Sequence, residues 1–129
     1  MNLKALSLVI ASFVFSPSLL AAGNHAHEHA HQALHGGIVV EEKDMDYELV
    51  AKADVVQLYL SDHGKPVAVE GLTAKLTLLS GNERQEVELK PAGDRLEAQG
   101  QFNVASNTKV IAVVSGMNKK VSTARFVLP

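Results

Sequence analysis

The chain contains no cysteine. It can therefore form no disulfide, offer no thiolate to a metal and carry no cysteine nucleophile. It also lacks an apolar run long enough to cross a bilayer as a helix, which takes about 20 residues. Leu6–Phe15 is half that length and is interrupted by Ser7 and Ser12. No sign of charge dominates: 12 Lys and Arg stand against 14 Asp and Glu. That balance gives no electrostatic case for nucleic acid or an anionic membrane surface as partner. A Gly-x-Ser-x-Gly elbow, an H-E-x-x-H pair and a phosphate-binding glycine loop are all missing. Glu28 and His29 are neighbours, but in a stretch with nothing to hold a general base to catalytic tolerance. These absences predict a protein that is not an enzyme. There is no internal repeat.

What is present begins with a leader. Met1–Lys4 is short and positive, the apolar run follows, and Ser16-Pro17-Ser18 breaks it ahead of the small residues Ala21, Ala22 and Gly23. This order reads as a secretory signal peptide over residues 1–22, cleaved after Ala22, with export to the periplasm and no membrane insertion afterwards. The remaining 107 residues make one domain's worth of chain.

Residues 23–34, Gly-Asn-His-Ala-His-Glu-His-Ala-His-Gln-Ala-Leu, have no apolar periodicity. They bring too little hydrophobic surface to offset the entropy of ordering them, so a flexible tail is expected. From residue 35 the pattern changes. Tyr47, Leu49 and Ala51 alternate with polar residues, as do Val56, Leu58 and Leu60, then Leu72, Ala74, Leu76 and Leu78. Val87 and Leu89, Leu96 and Ala98, Val110, Ala112 and Val114, and Ala124, Phe126 and Leu128 continue the alternation. Period two means one buried and one wet face per strand. Turn chemistry falls at Asp62–Pro66, Ser80–Asn82, Pro91–Asp94 and Gly116–Asn118. About eight short strands predict an all-β domain over 35–129, an antiparallel two-sheet sandwich of immunoglobulin-like or prealbumin-like type.

Five of the six histidines fall between positions 25 and 35: His25, His27, His29, His31 and His35. Neutral imidazole suits zinc, copper and nickel, and a short His-rich tract chelates without a preformed site. These five are the candidate metal ligands, and the bland alternative is a polar spacer. The affinity order of such a site favours Cu(II), with Zn(II), Ni(II) or Co(II) as alternatives. His35-Gly36-Gly37 stands at the junction of tail and first strand. It reads either as a fixed ligand, with tail histidines completing the shell, or as a hinge. His63 reads as an exposed turn residue. The acidic stretch Glu41–Asp46 reads either as a source of oxygens assisting a metal near His35 or, the favoured reading, as a solvated strand end. Met45 and Met117 are better explained locally than as Cu(I) ligands. Cleavage after Ala22 would also leave Gly23-Asn24-His25 at the terminus. Its α-amine, two amides and third-residue imidazole make a four-nitrogen plane that selects Cu(II) or Ni(II).

The run His35–Val40, then Asp46–Val50, Asp62–Val67, Leu76–Gly81 and Glu88–Asp94 resembles small periplasmic proteins with a His-rich leader and a His-Gly-Gly start. It is similar also to the small β domain of periplasmic adaptor subunits of heavy-metal RND efflux systems. The resemblance covers roughly residues 35–128 and implies a role in periplasmic metal handling, with an efflux adaptor or another envelope protein as partner. The chain lacks the hairpin and lipoyl-like parts of an adaptor. Two readings of function follow: a buffer or carrier of a divalent transition metal, accessory to heavy-metal resistance, or a non-catalytic interaction module of the envelope whose tail is incidental.

Overall fold

The structure, a computed structural model, describes residues 32–129. The expected signal peptide and most of the expected tail, through His31, lie outside the described residues.

The described chain is all-β. Its strands are β1 (Ile38–Glu42), β2 (Met45–Ala51), β3 (Val55–Asp62), β4 (Lys65–Pro66), β5 (Thr73–Ser80), β6 (Glu83–Ala92), β7 (Arg95–Gln99), β8 (Lys109–Met117) and β9 (Lys120–Val127). Every pairing is antiparallel. The hydrogen-bonded order is β1-β2-β3-β7-β6-β5-β8-β9, with the two-residue β4 added beside β3. No helix occurs among the described residues.

The alternating residues form the core. Tyr47, Leu49, Leu58, Leu76, Leu89, Leu96, Val110 and Val114 are essentially sealed from solvent, with Ala124, Phe126 and Leu128 closing the last strand. Truncating one of the buried leucines to alanine would cost about 2–5 kcal/mol, the removed methyl groups plus the cavity left behind. Val69 and Leu72, which lie before β5, are buried with them.

Three tight connections have two residues with positive φ: Lys43-Asp44, His63-Gly64 and Asn118-Lys119. This is the backbone of type I′ turns, whose twist matches that of the flanking strands. The first of them turns the acidic stretch at 41–46 into a hairpin: Glu42 pairs with Met45 and Glu41 with Asp46.

What differs from the expected two-sheet sandwich is continuity. The nine strands form one sheet, because β6 belongs to both halves. Its Glu83–Leu89 stretch pairs with β5, and its Lys90–Ala92 end pairs with β7. Pro91, which has no N–H to give a ladder, sits in that short second register. The sheet curls until its end strands β1 and β9 lie against each other, a nearly closed barrel. The Tyr47 and Ser122 hydroxyls are hydrogen-bonded, linking β2 to β9.

Candidate metal-ligand site

One strand departs from the one-face-wet rule. On β2 not only Tyr47 and Leu49 but also Asp46, Glu48 and Val50 are buried. Around Glu48 the cover is the chain just before β1. The segment 34–37 folds over β2 and gives its backbone to the Glu48 carboxylate.

Four donors converge there. Glu48 Oε1 accepts the Leu34 N–H at 3.0 Å and faces His35 Nδ1 at 2.8 Å. Glu48 Oε2 accepts the His35 N–H at 2.8 Å and the Gly37 N–H at 2.9 Å. Glu48 is only 6% exposed. Burial alone would raise its pKa. The Gly37 amide, the His35 ring and the amides of His35 and Leu34 outweigh it, and the carboxyl is held below its ordinary value. An anion placed among convergent backbone N–H groups is favourable for the same reason as one at a helix N-terminus.

The two glycines explain themselves here. Gly36 has φ +74°, a left-handed backbone that L-residues seldom adopt. At Gly37 a Cβ would stand 2.4 Å from the carbonyl oxygen of Leu49. The chain must pass that close for the Gly37 amide to reach Glu48. The His-Gly-Gly junction is thus a docked turn.

The His35 ring lies flat on Tyr59 of β3, with 3.5 Å between ring centroids and 6° between planes. Tyr59 faces outward beside Glu48, its partner in register. Beside it Gln57 donates to Glu97 at 2.7 Å, and Arg95 bridges Glu97 and Asp94. His35 and Tyr59 line a groove of ≈ 380 Å³ whose other walls include Gln32, Val39, Asp46, Pro66 and Asp94. The side chain of His35 remains 36% exposed, and its Nε2 has no hydrogen-bond partner among the described residues.

Of the expected ligands, the structure places His35 and leaves His25, His27, His29 and His31 outside the described residues. Gln32, the first described residue, is part of the groove wall. His63 is an exposed turn residue, its ring against Asp62. Met45 and Met117 pack against the core. Among the described residues no three His, Asp or Glu side chains group as a metal site. The sequence reading missed Glu48 and Tyr59. Glu48 occupies an outward position in the β2 alternation and so reads as solvated. Only the two adjacent glycines hinted that something approaches the backbone there.

No family model matches the chain, and comparison with curated proteins and with solved structures returns no match.

Proposed function

We propose that this is an exported, non-catalytic protein that binds a divalent transition metal in the periplasm, with Cu(II) favoured over Zn(II), Ni(II) or Co(II), as buffer or carrier alongside an efflux or resistance system. The observation that carries the reading is a juxtaposition. Four histidines at alternate positions, His25 to His31, run directly into a fifth, His35, whose ring is clamped between a carboxylate and an aromatic face. The run supplies imidazoles in excess, and the clamped ring supplies one in a fixed place.

Calorimetric titration of untagged protein with Cu(II), Ni(II) and Zn(II) tests this. The wild type should bind at least one equivalent at micromolar metal. The variant with alanine at positions 25, 27, 29 and 31 should lose most of it and melt at the same temperature. Equal binding by that variant would remove the His-rich run from the function.

The envelope-interaction reading is favoured by one feature. Val121 and Val127 are largely exposed on β9, an end strand of the sheet. Exposed valines on the outer face of one strand offer an apolar contact to another protein. Pull-down from envelope extracts with Val121→Lys and Val127→Lys as controls separates the two readings.

A further inference from the structure

The strands β6, β5, β8 and β9 turn an outer face to solvent on the far side of the barrel from the docked segment 34–37. Two rows of outward residues cross it in register. One is Glu86, Thr77, Ile111 and Arg125; the next is Glu88, Lys75, Val113 and Thr123. Ile111 and Val113, in the middle, are half-buried. Beside them on β9, Val121 and Val127 are 62% and 58% exposed. Single apolar residues on a surface are ordinary, but four on two neighbouring strands make a patch. A shallow depression of ≈ 500 Å³ adjoins Val113, with Thr73, Lys75 and Glu88 among its walls.

The charges are sorted across this face. Its β6 margin carries Glu86 and Glu88. Glu86 holds Lys75 at 3.1 Å and Arg84 at 2.9 Å, whereas Glu88 has no ion-pair partner among the described residues. Its β9 margin carries Arg125, which likewise has no ion-pair partner among the described residues. A surface with carboxylates along one margin, a guanidinium on the other and branched apolar side chains between them can match itself. An isologous contact needs this, because each residue meets its counterpart's partner across a two-fold axis.

We infer that this face is a self-association surface whose occupant is a second copy of the chain, the two copies related by a two-fold axis running along the strands between β5 and β8. That rotation lays β6 of one copy over β9 of the other and β5 over β8, row for row. Arg125 of the second copy then stands over Glu86 and one row from Glu88. Its Ile111 meets Thr77, and its Val113 meets the aliphatic stem of Lys75. Its Val121 falls at the Thr73 end of the depression. Arg84 and Lys109, in the row beyond, meet Val127 and Leu79 of the second copy and not each other. Sheets stacked in this way pack with their strands nearly aligned. Four strands about 4.8 Å apart and four alternate positions along each give a footprint of about 400 Å² per copy, which makes the contact a weak and reversible one.

The inference is independent of the metal reading, and it gives the exposed valines a different occupant from the envelope protein considered above. Sedimentation equilibrium of untagged full-length protein, held in chelator so that no metal can bridge copies, tests it. Between about 10 μM and 1 mM the wild type should pass from monomer towards dimer. Val121→Lys and Arg125→Glu should each weaken the dimer at least about ten-fold with unchanged melting temperature, the second by setting like charges against each other. Glu88→Arg should weaken it in the same way, and the double variant of Glu88→Arg with Arg125→Glu should recover dimerisation, which a merely destabilised fold would not do. A monomer throughout the range would overturn the inference and leave the face to another protein. A dimer indifferent to Val121→Lys and Arg125→Glu would place the contact on a different surface, and single losses that the double variant does not repair would overturn the two-fold pairing.

Discussion

His35 and Tyr59 are parallel rings 3.5 Å apart at their centroids, and the sheet supplies one while the chain entering the domain supplies the other. The pair therefore reports on whether the entering chain is docked. The protein has two tyrosines, four phenylalanines and no tryptophan, so the tyrosine band of its near-ultraviolet spectrum comes from Tyr47 and Tyr59 alone. In His35→Ala the Tyr59 circular-dichroism band should weaken, and stability should fall by about 1 kcal/mol from the lost stacking. If Cu(II) binds at His35 it quenches Tyr59 emission first. In Tyr59→Phe, where Tyr47 is the remaining emitter, quenching by the first equivalent should largely disappear. Equal quenching in both proteins would place copper elsewhere.

Acid should undock the junction. The Glu48 carboxyl is held below its ordinary value of 4.5 by the Gly37, His35 and Leu34 donors, against the opposing effect of burial. Its folded pKa is depressed, so its stabilisation is complete above pH 4.5 and is lost as pH falls through the folded value. Denaturant midpoints taken from pH 7 down to 3 should therefore drop in the wild type below about pH 4.5. The drop should be smaller in Glu48→Gln, which has no carboxyl at this position. Parallel curves for the two proteins would deny Glu48 this part.

Gly37→Ala should be among the most damaging changes outside the core. Its Cβ would meet the Leu49 carbonyl at 2.4 Å. Relieving that contact moves the Gly37 amide off Glu48. A loss of roughly 2–3 kcal/mol is expected, read as a shifted denaturant midpoint with an unchanged slope. A loss below 0.5 kcal/mol, roughly the scatter of surface substitutions, would mean that the close approach is not maintained in solution.

At the β1–β2 turn the effect has the opposite sign. Asp44 has φ +66° in a type I′ position that favours glycine. Asp44→Gly should stabilise by about 0.5–1 kcal/mol. A neutral or negative result in thermal melts would show that the aspartate makes a compensating contact.

Deleting Asn24–His31 should leave the melting temperature of the metal-free protein unchanged, because among the described residues the anchoring amides begin at Leu34. It should abolish the metal-induced rise in melting temperature expected of the wild type. A metal-free truncation that melts several degrees lower would make the His-rich run part of the fold.

The strands were legible because their evidence is periodic. All the alternating positions from Tyr47 to Leu128 are buried apart from Ala51 and Ala98, which are half-buried. Their number came within the two-residue β4 of what the turns imply. The change of partner in β6 was not legible. A strand that serves two neighbours alternates like any other, and the difference lies in hydrogen bonds between distant residues. Glu48 was hidden for a related reason. Its burial comes from residues 34–37 folding over it, and alternation within β2 carries no trace of a lid supplied by other residues. The His-rich run was plain in the sequence. That one imidazole of the set is clamped while the others precede it became visible in three dimensions only.

The hydroxyls of Tyr47 and Ser122 meet although 75 residues separate them in the chain. That contact sets an order in time. The first hairpin, β1–β2, can form as soon as its own residues are free, but its partner across the seam belongs to the strand that emerges last. Pairings between distant segments are slow because a large loop must close before any contact repays it. A chain delivered from its N-terminus therefore passes through a stage in which eight strands are out and the barrel has no far wall. The Tyr47 hydroxyl lacks its Ser122 partner throughout that stage. Until β9 docks, the other strands make an open half-pipe with an apolar lining, and β9 is what closes it.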